Sequence, residues 1–244
     1  MSNVEQGPIL FSRYTGVGDY AVVMDAGLGD NSETWALVEP QIAEFARVLV
    51  YDRAGLGRSE PTTIPRTSSN MVKELRNLLL QNEVKPPYIL VGHSFGGLNM
   101  MLFASLYPDE VSGLVLIDTS HPEQVPRFLT VMTEEQSQKY IKGYTNNEEG
   151  MTFEARTQSG EEVTVALAIP AIPIIMLTAK RTISDTPNIF DVMWDEMQID
   201  LALTICSNKL LMVQNSGHWI QRDQPDVVVN VIRELVEAAR TIQT

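Results

Sequence analysis

The segment Gly92-His93-Ser94-Phe95-Gly96-Gly97 constrains this chain more than any other. It sits between the apolar run Tyr88-Ile89-Leu90-Val91 and a helix-like stretch from Leu98 to Tyr107. A serine flanked by glycines at a strand-to-helix junction presents an exposed nucleophilic hydroxyl. The turn is so tight that side chains at Gly92 and Gly96 would collide with neighbouring backbone. The helix that follows aims its unpaired N–H groups at the space above Ser94. Gly-x-Ser-x-Gly recurs by chance, and the strand before it and helix after it are what give it weight.

The rest of the chain repeats that alternation. Short, β-branched, apolar runs predict strands at 20–24, 47–51, 88–91, 113–118, 172–177 and 209–213. Most are apolar throughout, as strands covered on both faces are. Between them the spacing predicts helices at 68–82, 97–107, 187–205 and 225–241; the last carries Val228, Val231, Ile232, Leu235 and Ala239 on one face, with Pro225 in its first turn. Such alternation implies an α/β fold with a mostly parallel central sheet and helices on both faces. One interval breaks the rhythm. Residues 119–169 separate two strands and hold a polar helix-like piece at 133–144 and a Gly/Asn/Glu-rich turn at 146–150. That is far too long for a strand–helix loop, so the expected organisation is one domain over 1–244, with a core at 1–118 and 170–244 and an insertion at about 119–169.

Composition narrows the partners. Asp and Glu number 31 against 18 Lys and Arg, a net charge of −13, which speaks against nucleic acid or an anionic membrane surface. A single cysteine, Cys206, excludes an intramolecular disulfide and suits a reducing compartment. The first residues carry no basic segment followed by an apolar stretch, and no apolar run is long enough to span a membrane. The expectation is a cytoplasmic protein without membrane insertion; oligomeric state is not readable.

A serine hydroxyl needs a base to take its proton. Of three histidines, His93 adjoins Ser94, where neighbouring side chains point apart, and His121 opens the insertion. His218 follows the strand at 209–213 and precedes the last helix, which in a parallel sheet puts it on the same carboxyl edge as Ser94. His218 is the expected base. Two carboxylates satisfy the order Ser, acid, His: Asp118 at a strand end and Asp185 in the loop after the next strand both lie between Ser94 and His218. A strand end holds a carboxylate more rigidly than a loop does, which favours Asp118 and leaves Asp185 as the alternative. For an oxyanion the backbone donors would be Phe95 N–H and, from the loop Ala26-Gly27-Leu28-Gly29-Asp30, Leu28 N–H. That loop lacks the spacing of a dinucleotide fingerprint, and no phosphate-loop lysine follows it. The histidines and cysteine form no metal-ligand pair at recognised spacing, so neither metal nor cofactor is expected.

These residues resemble the α/β-hydrolase superfamily along essentially the whole chain. The Ser94 turn matches its nucleophile motif. Asp52-Arg53-Ala54-Gly55-Leu56-Gly57-Arg58-Ser59 resembles its structural D-x-x-G-x-G-x-S segment, and Gly217-His218 with Gln224-Pro225 resembles the surroundings of its catalytic histidine. The resemblance implies that the insertion is a lid over the active site. There are two departures. Ala26-Gly27 stands where the family usually has His-Gly, and Thr182 stands at its usual acid position. The alternative acid position used by some members, the end of the preceding strand, carries Asp118.

A nucleophilic serine implies hydrolysis of a carboxylic ester or a related thioester or lactone, a small acyl substrate handled without a cofactor. Phe128, Leu129, Met132 and Trp219, with Trp35 and Met100, are the apolar residues expected to line its pocket. A non-catalytic small-molecule receptor on the same fold and a C–C bond hydrolase remain as alternative readings.

Overall fold

The computed structural model describes residues 7–145, 147–180 and 188–242. Seven strands are found among them: β1 (Ser12–Gly16), β2 (Ala21–Asp25), β3 (Arg47–Tyr51), β4 (Tyr88–His93), β5 (Val111–Ile117), β6 (Ile174–Ala179) and β7 (Lys209–Val213). They form one sheet in the order β1-β3-β2-β4-β5-β6-β7, antiparallel only where β1 meets β3. The remaining pairings are parallel, so β2, β4, β5, β6 and β7 all end at the same edge. Register sets those ends level: Asp25 lies opposite Gly92, His93 opposite Ile117, and Ala179 opposite Val213. The strand β1 is an addition to the six expected. Its SRYTG is short and half-polar because it caps an edge and packs on only one neighbour.

The helices of the first half are α1 (Glu39–Ala43), α2 (Ser68–Gln81) and α3 (Phe95–Leu106). Between β5 and β6 come α4 (Gln124–Val131), α5 (Glu134–Lys142) and α6 (Phe153–Ala166), so the expected insertion holds three helices rather than one. After β6 come α7 (Ile189–Thr204), α8 (Ile220–Asp223) and α9 (Pro225–Ile242). Local chemistry starts several of them. Thr67 caps α2 by accepting from the Asn70 amide, Thr133 and Gln136 close a reciprocal capping box on α5, and the Asn188 side chain accepts from Phe190 and Asp191 at the head of α7. Pro187, the expected start of that helix, lies outside the described residues.

Alternate residues of each buried strand feed two cores. Val23, Leu49, Leu90 and Leu116 join α2, α3 and α6 on one face. Val22, Val48, Val91 and Val115 join α1 and α9 on the other. No helix among the described residues is long and apolar enough to cross a membrane.

Candidate active site

Ser94 occupies the turn between β4 and α3 with φ 51° and ψ −118°, a backbone conformation that a serine adopts only when the surroundings impose it. The imposition is visible. The Ser94 amide donates to Ile117 O at 3.0 Å, its carbonyl accepts from Ser120 N at 3.0 Å, and α3 presses so close that a Cβ on Gly96 would lie 2.4 Å from Asp25 O. The serine is half-buried at the carboxyl edge of the sheet.

One residue past β5, Asp118 also has positive φ, at 40°, and is fully buried. Its Oδ2 lies 2.6 Å from His218 Nδ1. Its Oδ1 accepts from Thr178 Oγ1 at 3.1 Å, the Ala179 amide at 3.2 Å and Trp194 Nε1 at 3.0 Å. Among the described residues, three donors on Oδ1 compensate the carboxylate for lost water, while Oδ2 meets histidine. With the proton of His218 on Nδ1 toward Asp118, the basic lone pair belongs to Nε2. His93 steadies the same loop: its Nε2–H donates to His218 O at 2.9 Å, and the two rings lie 4.6 Å apart. Burial, then the neighbouring His218 charge, pushes the His93 pKa down to about 4. Trp219 lies against both imidazoles and donates to Asp30 Oδ2 at 2.8 Å.

The loop after β2 lies over the serine. A Cβ on Gly27 would come within 3.3 Å of Ser94 Cβ and 3.0 Å of His93 Nδ1. From beneath, the buried Arg53 grips this loop: Nη1 donates to Asp25 Oδ1 and Ala26 O, and Nη2 to Gly27 O, each at 2.6 Å. Its remaining N–H groups meet Glu149, from the segment between α5 and α6. Burial opposes the charge on Arg53, but Glu149 and Asp25 outweigh it and hold the pKa well above the ordinary arginine value. As the first residue of α3, Phe95 has no intrahelical acceptor for its amide, and neither this N–H nor that of Leu28 has a partner among the described residues.

A strained serine turn, a buried acid–histidine pair and a glycine loop thus converge on one edge of a mainly parallel sheet. A model of the alpha/beta hydrolase fold matches residues 20–158, more than half of the chain. The chain belongs to the alpha/beta hydrolase fold family. Among its relatives, the Bacillus subtilis (strain 168) protein YqjL is 28% identical over 214 residues, spanning 87% of this chain and 82% of YqjL. A putative carbamate hydrolase RutD from Cronobacter sakazakii is 34% identical over 103 residues, covering 41% of this chain and 38% of RutD. A thermophilic esterase from Thermogutta terrifontis superposes with a TM-score of 0.64 at 19% identity, covering 95% of this chain and 94% of the esterase. The enol-lactonase from Burkholderia xenovorans LB400 does so with a TM-score of 0.68 at 18% identity, covering 94% and 97%. At such identities the structural likeness speaks for the fold.

This hydrolase-fold chain scatters the expected pocket residues. Trp35 is not at the site: it is fully buried with Val38 and Ile42 in the core beneath α8, where Thr34 Oγ1 accepts from Gln221. Met100 is likewise core, on the α2–α3 face. Both are fully buried, one in each core, and sequence periodicity does not distinguish a core position from a pocket wall. Phe128 packs edge-on against Phe190 of α7, 5.4 Å between centroids. Leu129 lines an apolar cavity of about 370 Å³ between α4 and α6, with Val125, Phe153 and Val165. Met132 is half-buried just past α4, and Trp219 is 41% exposed beside His218. Asp185 and Thr182 lie outside the described residues. His121 gathers with Glu123 and Asp200, their ligand atoms within 4.8 Å of one another. Arg127 donates to both carboxylates of that group, so a guanidinium already offsets one of their two charges. Arg53, Glu149, Thr178 and Trp194 were not singled out from sequence; only Arg53 carried a signal, its place in the Asp52–Ser59 segment.

Proposed function

We propose that this protein is a serine hydrolase that cleaves a carboxylic ester, or a related thioester or lactone, through an acyl-enzyme and without a cofactor. The carrying observation is the 2.6 Å contact between His218 Nδ1 and the buried Asp118 Oδ2, on the edge where Ser94 is held at positive φ. His218 Nε2 takes the Ser94 proton as Oγ attacks the acyl carbon, and Asp118 stabilises the imidazolium. The amides of Leu28 and Phe95 receive the oxyanion. The alcohol or thiol leaves with the proton from His218. Water then attacks the acyl-enzyme, giving one proton to His218, and collapse releases the acid and returns that proton to Ser94.

Residues 119–169, including the cavity beside Leu129, serve in this reading as a lid within a single domain and as the part that selects the acyl group. Phe128, Met132 and Trp219 remain its candidate apolar contacts. The net charge of −13 suits a small-molecule partner better than nucleic acid or an anionic membrane, and one cysteine suits the cytoplasm.

A fluorophosphonate probe tests the reading by intact mass. One adduct on the wild-type chain, absent from folded Ser94→Ala, is the expected result. A series of p-nitrophenyl esters of increasing chain length then sizes the pocket. No adduct on folded wild-type protein removes the hydrolase reading and turns attention to ligand binding without turnover.

A further inference from the structure

We infer that Glu149 and Arg53 are positioning residues for the oxyanion hole, so that the segment between α5 and α6 sets the aim of the catalytic loop. The inference rests on the hydrolase reading above and extends it to two residues outside the Ser94–His218–Asp118 set. Its basis is the planarity of the peptide unit. The carbonyl of Gly27 and the amide of Leu28 belong to one trans peptide, so they point in opposite directions and turn together. Arg53 Nη2 donates to that carbonyl at 2.6 Å, and Nη1 donates to the carbonyl of the preceding peptide, Ala26, at 2.6 Å. Holding the two oxygens below the loop fixes the Leu28 N–H above it, on the side where Ser94 Cβ approaches Gly27. A cation on the carbonyl also polarises the peptide and makes its N–H a stronger donor.

Arg53 in turn is oriented by two carboxylates. Asp25 ends β2 and is itself held by Asn99 Nδ2 at 2.8 Å. Glu149 engages Nε and Nη2 of Arg53 side by side, and its Oε2 accepts from the Gly29 amide at 3.1 Å, beyond the oxyanion peptide. It therefore clasps the loop from both sides of Leu28. All three charged side chains are at least 98% buried, where a fork of five donors has almost no freedom once its acceptors are set. Glu149 is fixed as well: the Asn147 side chain ties Tyr144 O and both backbone groups of Met151, and Glu148 O packs against Gly55.

The test compares wild type, Glu149→Gln and Glu149→Asp as full-length chains, with active sites counted by fluorophosphonate adduct mass and melting followed in parallel. Losing an oxyanion donor costs about 10²–10³ in kcat, so a misaimed one in Glu149→Gln is expected to cost about 10- to 100-fold per titrated site. KM on a p-nitrophenyl ester stays within about threefold, because the ground-state carbonyl is little affected. Affinity for an alkyl trifluoromethyl ketone, whose hemiketal oxyanion occupies the same hole, falls in step with kcat/KM. Glu149→Asp keeps the charge and recovers part of the loss; it also carries the comparison if Glu149→Gln does not fold. A strut with no role in aim would lower the melting temperature or the number of titratable sites and leave kcat per site unchanged. That outcome, or a loss confined to KM, overturns the inference. Absence of any Ser94 adduct on wild-type protein removes the hydrolase reading and this one together, and so is distinguishable from failure of the inference alone.

Discussion

At the scale of single residues, the site is a set of polar groups whose partners are almost all prescribed. Asp118 shows this most clearly, with Thr178, Ala179 and Trp194 on one oxygen and His218 on the other. Asp118→Asn is expected to keep the first three bonds on its amide oxygen and to turn its NH₂ toward His218. An NH₂ there demands a lone pair on Nδ1, so the proton moves to Nε2 and the imidazole can no longer accept from Ser94. A fall in turnover of about 10⁴-fold with little change in melting is the expected outcome, since a wrong tautomer leaves packing intact. A change of less than about tenfold in stopped-flow turnover would mean that some other carboxylate orients His218. Asp185 then becomes the residue to mutate.

At the scale of elements, β4 and the loop after β7 are joined through His93, and that joint has a pH signature. The imidazole is 1% exposed and its Nδ1 has no acceptor among the described residues, so protonation would bury a charge without a partner there. Its pKa is about 4 when folded and about 6.5 when unfolded, so between those values the unfolded chain binds more protons. Unfolding free energy therefore rises with pH across about 4 to 6.5 and is flat above, a contribution of about 2 kcal/mol lost at pH 5. His121, also lowered to about 4 by burial and Arg127, steepens the same window. Urea titrations at pH 5 and pH 7.5 should show His93→Gln with a smaller gap in midpoint than wild type. An unchanged gap would assign the acid sensitivity elsewhere. Much at this scale was legible in the sequence. The strands at Arg47–Tyr51 and Lys209–Val213 appear at the expected residues: the first because it is buried from Val48 to Tyr51 and reads as one apolar run, the second because, although an edge strand buried only at Val213, it keeps the apolar run Leu210–Val213. Missed were β1, whose half-exposed edge position removes that signal, and α1, α4, α6 and α8; Pro126 in α4 and Gly160 in α6 are residues that weaken a helical pattern. Gly160 is in fact the contact point of α6, where a Cβ would overlap Pro122 O. The Ser94 turn was legible because its constraint is local. The Arg53–Glu149 contact was not, because 96 residues separate the partners and nothing in either segment names the other.

At the scale of the whole molecule, the sheet separates two cores, and helix α9 closes one of them through a position that has no side chain of its own. Gly113 in β5 leaves a notch that Leu235 fills: a Cβ placed on Gly113 would meet Leu235 Cδ1 at 3.3 Å and Ile89 Cγ1 at 3.7 Å. Leu235 is 3% exposed, and truncating it opens space facing a glycine, which cannot lean in to close it. Leu235→Ala is accordingly expected toward the upper part of the usual range for buried leucine, about 3–5 kcal/mol. Gly113→Ala alone crowds Leu235 slightly while gaining strand propensity, so its effect is small, about 1 kcal/mol or less. Combined, the new methyl at 113 enters the space vacated at 235, and the double variant should be more stable than the two separate losses imply, by about 0.5–1.5 kcal/mol. Urea midpoints for the four proteins at pH 7.5 close the cycle. Strict additivity would mean that β5 and α9 shift apart when Leu235 is shortened, rather than holding the notch open. Since Gly113 lies at the amino end of β5, far along the strand from Asp118, kcat per titrated site should be the same in all four.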